Sequence, residues 1–243
     1  MLESPIENQA RFGGSLEQTE KQQIRIILAS NSPRRRELLA LTGWQYEIIP
    51  ADVDETPHPG EPADEYVYRL AQEKAAAVAA GMTAGQDADF VIAADTTVAD
   101  RGRILGKPQD EAEAQEMLHS LRGRTHQVYT AVSILNPKTG QCLTELATTD
   151  VPMRDYSQDE IDAYIATGDP FDKAGGYAIQ HRGFSPVSHL SGCYANVVGL
   201  PLCHLMRAAQ KMGLTPLADI PAACQKTLNY DCTTYPQVQK GEL

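Results

Sequence analysis

The hydrophobic pattern of this chain contains two short stretches that are almost continuously apolar, residues 24–29 and 90–94. Both have the length of a strand, and both are rich in β-branched or aromatic side chains. Strands that are apolar on both faces are typical of a partly parallel sheet with helices packed on each side. The pattern therefore predicts an α/β fold. In such sheets ligands bind beyond the carboxyl ends of the strands.

Helical spacing appears between and after these strands. Residues 62–80 carry apolar side chains at intervals of three and four. A pair of antiparallel strands is predicted for residues 128–135 and 144–153, joined by a turn. The remaining predicted helices begin at a capping residue or proline and end near a glycine; they start at Pro33 after Ser32, and cover residues 110–121, 157–168 and 201–212.

Lys74 interrupts the apolar face of the helix predicted for residues 62–80. Its ammonium group can extend from the edge of that face into solvent, which is the commoner arrangement. The alternative is that Lys74 points into a cleft and meets an anion there. The sequence leaves both arrangements open.

The segment S-N-S-P-R-R-R, residues 30–36, follows the first predicted strand. Ser32 suits the N-cap and Pro33 the first helical position. Three arginines in the first turn are unusual, because a helix N-terminus already carries partial positive charge. Free N–H groups, the hydroxyls of Ser30 and Ser32 and guanidinium groups together suit a phosphate chain. The alternative is a solvated basic helix start.

Carboxylates follow two of the predicted strands. Residues 52–57, D-V-D-E-T-P, hold three of them, and Asp95 comes directly after the apolar run 90–94. Clustered carboxylates form either a solvated turn or a site for a hard cation such as Mg²⁺. An aspartate at the end of a strand is either a cap or a candidate metal ligand or base.

A pair of glycines lies in residues 172–180, D-K-A-G-G-Y-A-I-Q. Adjacent glycines allow backbone to approach a ligand closely, and polar groups flank them here. A plain turn between strands is the alternative.

The net charge of −11 over 243 residues argues against nucleic acid or an anionic membrane as a general partner. No apolar stretch approaches the roughly 18 residues of a membrane span, and the first 23 residues show no apolar core of a signal peptide. We therefore expect a cytoplasmic protein whose five cysteines are reduced. Residues 1–22 are predicted to be a flexible leader, and residues 214–243 a loosely packed or mobile C-terminal tail.

Taken in order, these segments resemble the Maf family of nucleoside triphosphate pyrophosphatases, also called septum-formation inhibitor proteins. The resemblance extends over about residues 24–213, which predicts a Maf-like domain at residues 23–213. The matching motifs are S-N-S-P-R-R (30–35), D-V-D-E-T-P (52–57), R-L-A-Q-E-K (69–74), A-D-T (94–96), G-K-P (106–108), G-R-T-H-Q-V-Y-T-A-V (123–132), D-K-A-G-G-Y-A-I-Q (172–180) and N-V-V-G-L-P-L (196–202).

The resemblance implies an α/β fold with a long, twisted mixed sheet flanked by helices, and two lobes with a central cleft. This architecture is similar to that of the inosine triphosphate pyrophosphatases. It also implies hydrolysis of the α–β phosphoanhydride of a nucleoside triphosphate, with Mg²⁺ or Mn²⁺ as cofactor, and a homodimer. The segment 172–180 looks like the branch that acts on dTTP and UTP, which suits cleansing of the nucleotide pool.

The resemblance also assigns roles to single residues. Asp95 is the expected base, and Glu55 and Asp95 are the expected metal ligands. The phosphate chain is expected to meet Arg34, Arg35, Lys74 and Lys107, of which the two lysines are counted as catalytic. The other expected substrate-binding residues are Ser30, Ser32, Thr96, Asp172, Lys173 and Gln180, with Gln180, Thr96 and Arg34 tied to the choice of base. Two alternatives remain: a nucleotide-binding regulator of septum formation with weak hydrolysis, and a 7-methyl-GTP pyrophosphatase.

Overall fold

The computed structural model describes residues 24–83 and 86–243. The predicted flexible leader at residues 1–22 lies outside this range. No helix in the described range is long and apolar enough to cross a membrane. In chain order the elements are β1 (Ile26–Leu28), α1 (Pro33–Ala40), β2 (Tyr46–Ile48), α2 (Ala63–Gly81), β3 (Phe90–Asp100), β4 (Arg103–Leu105), α3 (Glu111–Leu121), β5 (Thr125–Leu135), β6 (Cys142–Pro152), α4 (Gln158–Ile165), two 3₁₀ turns (Asp169–Asp172 and Ala174–Gly176), α5 (Tyr194–Val198), α6 (Leu202–Lys211), α7 (Ile220–Leu228) and α8 (Tyr235–Lys240).

The six strands form one mixed sheet in the order β2-β1-β3-β5-β6, with β4 paired to β3. Strand β1 is parallel to both β2 and β3, whereas β3, β5 and β6 run antiparallel to one another. Each of these last three strands is 11 residues long. The predicted α/β fold with a long mixed sheet is confirmed.

Alternate side chains of β3 enter two different hydrophobic clusters, which explains why its first half is continuously apolar. Ile92 and Ala94 pack with α1, α5 and α6 on one face. Val91 and Ala93 pack with α2 on the other face. Farther along β3, Val98 belongs to another cluster, built with α3 and α4. A cleft lies between this cluster and the one around α6.

The position of Asp95 differs from the prediction. The apolar run ends at Ala94, but β3 continues to Asp100, so Asp95 lies in the middle of a strand rather than at its end. The strand continues because β3 pairs with β5 as far as Ala99. Its pairing with the shorter β1 ends at the pair Leu28–Ile92. At Leu28 strand β1 ends and the chain continues toward α1. Asp95, three residues past Ile92, therefore lies beside the open end of β1.

The C-terminal segment also differs from the prediction of a loosely packed tail. It forms α7 and α8, and Ile220 and Val238 are buried. The hydroxyl of Tyr230 accepts from the N–H of Gly192 and donates to its carbonyl oxygen, at 3.1 and 2.9 Å. Two short amphipathic helices in a polar stretch leave only a weak periodic signal, because each buries only a single side chain fully.

Candidate active site

The cleft has a volume of about 430 Å³. It is lined by segments that are far apart in the sequence, and eleven of the twelve predicted site residues lie on its wall. The twelfth, Asp95, does not line the cleft directly, but it accepts a hydrogen bond from Lys74, which does. The eleven are Ser30, Ser32, Arg34, Arg35, Glu55, Lys74, Thr96, Lys107, Asp172, Lys173 and Gln180.

The N-terminus of α1 opens into this cleft. Ser32 is the N-cap, and its hydroxyl accepts from the N–H of Arg35 at 3.4 Å. The Ser30 hydroxyl accepts from the N–H of Ser32 at 3.2 Å, which orders the turn between β1 and α1. No acidic residue occupies the first turn of the helix. The positive end of the helix is therefore not neutralised by its own side chains.

The two arginines of this helix start differ in how firmly they are held. Arg35 donates to the carbonyl oxygen of Gly199 at 2.9 Å, to Thr96 Oγ1 at 3.1 Å and to Ser30 Oγ at 3.3 Å. Burial lowers its pKa, although the charge of Asp95 opposes this change. Arg34 reaches only Asp172, at 3.5 Å, and is partly exposed. Arg35 is thus an anchored cation, whereas Arg34 is free to reorient toward a ligand.

Lys74 points into the cleft, which resolves the two arrangements left open by the sequence. Its Nζ lies 2.6 Å from Glu55 Oε1 and 2.6 Å from Asp95 Oδ1. Lys74 and Asp95 are only 7% and 6% exposed. One ammonium group therefore brings two carboxylates from a loop and a strand together at the same point. Without it, the buried Asp95 and the half-exposed Glu55 would face each other as like charges.

The two carboxylates differ in their acidity. Burial raises the pKa of Asp95 above its usual range, and the positive charges of Lys74 and Arg35 oppose this effect. Burial also acts to raise the pKa of Glu55, but the hydrogen bond and charge of Lys74, with Lys107 and Arg35, outweigh it and lower that pKa. Of the two, Asp95 is consequently the better proton acceptor.

The donor set at Lys74 indicates whether a divalent cation fits the cleft. Among the described residues no group of three or more His, Cys, Asp or Glu side chains forms a metal cluster. Mg²⁺, however, is commonly bound by one or two carboxylates together with substrate phosphates and water. Glu55 and Asp95 already converge on one cation, the Lys74 ammonium. Their arrangement fits a metal that arrives with a phosphate ligand.

Lys107 and Lys173 also line the cleft. The loop that carries Lys107 is tied down by Gly175, whose N–H donates to the carbonyl oxygen of Gly106 at 2.9 Å. Gly175 has a φ of 70°, and a Cβ there would lie 3.0 Å from Val98, so glycine is required. The glycine pair thus belongs to a 3₁₀ turn that lines the cleft, not to a turn between strands. Lys173 Nζ is held by Asp169 at 2.9 Å and Asp172 at 2.5 Å.

Part of the cleft lining is apolar. Val98, Val128, Tyr177 and Val197 contribute to it, and Gln180 is an exposed residue of the same lining. The apolar part is suited to the flat face of a nucleobase, whereas the start of α1 is suited to phosphates. The amide of Gln180 can both donate and accept hydrogen bonds.

Sequence reasoning missed several residues that hold the site together. Thr130, Asn196 and Gly199 contact the groups around Arg35 and Thr96, although they carry no charge. Thr130 and Asn196 are fully buried. Both lie within motifs that match the family, but a buried hydroxyl or amide has no sequence signature of its own that distinguishes it from packing.

The sheet and the cleft define an α/β protein with a cationic pocket for a phosphate-bearing ligand. The family model described as Maf-like protein matches residues 25–212. The chain belongs to this family, as its motifs predicted.

Curated relatives are similar over most of their length. A dTTP/UTP pyrophosphatase of Nitrosomonas europaea is 47% identical over 78% of this chain and 95% of its own. One of Methylococcus capsulatus is 45% identical over 79% of this chain and 92% of its own. A solved structure, the Staphylococcus aureus Ham1 protein, has a TM-score of 0.43 and 17% identity, and covers 84% of this chain and 98% of that one.

Proposed function

We propose that this protein hydrolyses the α–β phosphoanhydride of dTTP and UTP, releasing the nucleoside monophosphate and pyrophosphate. The observation that carries the proposal is the convergence of Glu55, Asp95 and Lys74 beside the open N-terminus of α1. The relatives named dTTP/UTP pyrophosphatase support the same reaction.

In this proposal the phosphate chain lies along the start of α1. A triphosphate carries about four negative charges at neutral pH, which the N-terminus of a helix and nearby cations stabilise. Arg35 supplies a fixed charge, and Arg34 closes on the ligand by leaving its long contact with Asp172. Lys107 and Lys173, which also line the cleft, contribute further positive charge. Phosphoryl transfer depends mostly on such positioning and charge stabilisation.

Glu55 and Asp95 would hold the divalent cation, Mg²⁺ or Mn²⁺, which would polarise the phosphate and lower the pKa of a coordinated water. Asp95 accepts the proton of the attacking water, and its raised pKa makes it a stronger base than an exposed aspartate. Lys74 contacts both carboxylates and offsets one of their two negative charges before the substrate arrives, which reduces their repulsion.

Gln180 recognises the pyrimidine ring in this proposal. Its amide pairs with the N3–H and a carbonyl of thymine or uracil in the cleft. Thr96 lies deeper in the cleft, where its hydroxyl bonds with Arg35 and Thr130. Binding of a base that leaves a buried polar group unpaired is weaker by about 1–3 kcal/mol. Selectivity between nucleobases is therefore expected to be measurable but incomplete.

We further propose a homodimer that works in the cytoplasm, where nucleoside triphosphates occur and where its five unpaired cysteines stay reduced. Removal of noncanonical or excess pyrimidine triphosphates would then protect the nucleotide pool, with a link to cell-division arrest. Light scattering coupled to size-exclusion chromatography tests the dimer, since a single monomeric peak contradicts it.

The reaction is tested by measuring pyrophosphate release from dTTP, UTP, CTP, GTP and 7-methyl-GTP, with Mg²⁺, with Mn²⁺ and with chelator. Turnover of dTTP and UTP that requires a metal is the expected result. Turnover of 7-methyl-GTP instead would retain the enzyme class but contradict the role of Gln180. Nucleotide binding without turnover of any of the five would favour a regulatory protein.

A further inference from the structure

The guanidinium group of Arg35 is part of a closed ring of hydrogen bonds. Its Nη2 donates to Thr96 Oγ1 at 3.1 Å, which lies 3.0 Å from Thr130 Oγ1. Thr130 Oγ1 donates to the carbonyl oxygen of Asn196 at 3.0 Å. The N–H of Gly199 donates to the same carbonyl at 3.0 Å, and the Gly199 carbonyl accepts from Arg35 Nε at 2.9 Å. We call these five residues the Arg35 ring.

The direction of each hydrogen bond in the Arg35 ring follows from the chemistry of its members. A hydroxyl group has one hydrogen to donate, and a carbonyl oxygen only accepts. Thr130 must therefore donate to Asn196, so the hydrogen between the two threonines comes from Thr96. Thr96 in turn accepts from Arg35. Its hydroxyl hydrogen is thus already committed to Thr130.

The carbonyl oxygen of Asn196, which accepts the last hydrogen bond in this series, is fixed in place by packing. Thr130 lies opposite Thr96 in the pairing of β5 with β3, and both Thr130 and Asn196 are 0% exposed. The side-chain amide of Asn196 donates to the Val128 carbonyl at 3.0 Å and to Thr149 Oγ1 at 2.9 Å. These bonds hold the end of α5 against the sheet.

Gly199 completes the Arg35 ring only because it has no side chain. Its φ is 111°, and a Cβ would lie 3.2 Å from Thr96 Oγ1 and 3.5 Å from Arg35 Nε. Backbone and side chains therefore hold the Nε–Nη2 edge of the guanidinium, and Nη1 donates to Ser30 Oγ. Arg35 itself lines the cleft.

We propose that Thr130 is a positioning residue for phosphate binding that acts through Thr96 on Arg35. Thr130 does not line the cleft, and it contributes by keeping the guanidinium in one orientation before the anion arrives. The inference rests on the proposed function only in that the bound anion is the phosphate chain of the substrate. Pre-organised donors bind anions better because no reorientation is needed on binding.

The test uses inorganic triphosphate as the probe and isothermal titration calorimetry of the full chain. Thr130→Val keeps the shape of the side chain but removes the hydroxyl, and we expect binding about tenfold weaker. Thr130→Ser restores the hydroxyl, and its affinity should return to within about twofold of the unmodified protein. Circular dichroism checks folding, and Thr130→Cys, which retains a weak donor, replaces the valine variant if that variant unfolds.

Ser133→Ala is the matched control. Ser133 lies on the same strand, is 0% exposed and forms the same kind of cross-strand hydroxyl pair, with Thr144 at 2.7 Å. Its loss should leave triphosphate binding unchanged. Equal weakening by Ser133→Ala and Thr130→Val would show a general effect of buried hydroxyl loss and overturn the proposal.

A second background tests whether Thr130 acts through Arg35. The Arg35→Lys protein lacks the guanidinium that donates to both Gly199 and Thr96. In this protein Thr130→Val should therefore change triphosphate affinity by less than about twofold. An undiminished effect in this background, or unchanged binding by the single valine variant, contradicts the inference. If the unmodified protein binds inorganic triphosphate but does not hydrolyse dTTP, the proposed function fails while the role of Thr130 is still tested.

Discussion

Lys74 Nζ donates to Asp95 Oδ1 at 2.6 Å, and the two side chains are buried on facing elements, α2 and β3. The same ammonium contacts Glu55. Lys74 therefore occupies the point at which the two carboxylates would hold a divalent cation. The lysine and the metal are expected to share, or compete for, the same oxygens.

Replacing Lys74 by Met should increase the thermal stabilisation that a divalent metal ion gives the protein in the absence of nucleotide. The change leaves Glu55 and Asp95 facing each other without the ammonium that contacts both, which destabilises the fold through their repulsion. Mg²⁺ relieves this repulsion, so Mg²⁺ should raise the melting temperature of Lys74→Met more than that of the unmodified protein. Differential scanning fluorimetry measures the shift. Equal shifts in both proteins would mean that the two carboxylates do not bind the ion.

Replacing Asp95 by Asn should reduce dTTP turnover by about 10²–10⁴-fold, because the amide cannot accept the proton of the attacking water. Binding of nucleotide should persist, since Arg35 is held by Gly199, Ser30 and Thr96 rather than by Asp95. Asp87→Asn, at an exposed aspartate paired with Arg25, is the control and should retain full activity. Undiminished turnover by Asp95→Asn would exclude it as the base.

Replacing Gln180 by Leu should weaken selectivity among bases more than it affects the chemical step. The amide is an exposed part of the cleft lining, and the loss of its hydrogen bonds should remove about 0.5–1.5 kcal/mol of discrimination for each bond. The ratio of kcat/KM for UTP to that for CTP should fall, whereas Gln141→Leu in an exposed turn should leave it unchanged. An unaltered ratio in Gln180→Leu would assign base recognition to other residues.

Two buried histidines should make the protein sensitive to mild acid. Burial lowers the pKa of both His126 and His204 to about 4. The unfolded chain binds these protons near pH 6.5, so stability is fully present above that pH and is lost as the pH falls toward 4. Between pH 7 and pH 5 each histidine should cost about 2 kcal/mol of unfolding free energy.

Urea unfolding at pH 7 and pH 5 measures this loss. His204→Leu should show a smaller decrease between the two pH values than the unmodified protein. The exposed His189 provides the control, because His189→Leu should leave the decrease unchanged. If all three proteins lose the same free energy, other groups govern the acid sensitivity.

Replacing Tyr230 by Phe should destabilise the whole fold, because the C-terminal segment is packed into it. The hydroxyl accepts from the N–H of Gly192 and shares its one hydrogen between the carbonyl oxygens of Gly192 and Leu190. Leaving these groups unpaired should lower the free energy of unfolding by about 1–3 kcal/mol. Tyr68→Phe, at a side chain that is 40% exposed, should change it little. If the C-terminal segment were a mobile tail, Tyr230→Phe and Tyr68→Phe would both leave the free energy of unfolding nearly unchanged.

Much of the local structure could be read from residue patterns. The capping serine Ser32, the proline at Pro33 and the glycine-flanked helices act over a few residues, so their sequence neighbours are sufficient to predict them. The sheet was predicted from two apolar runs and from the antiparallel pair of strands at residues 128–135 and 144–153. The helices of the C-terminal segment could not be read in this way, because tertiary contacts such as those of Tyr230 stabilise them.

By itself the sequence determined the fold class, the family and the set of charged residues that line the cleft, since motifs retain chemical identity and order along the chain. Only the tertiary structure decided that Lys74 points inward, that Asp95 lies in mid-strand and that Arg35 is anchored while Arg34 is not. Each of these depends on partners 21 to 164 residues away in the chain. Such contacts arise when the sheet brings distant segments together, and no pattern within a single segment encodes them.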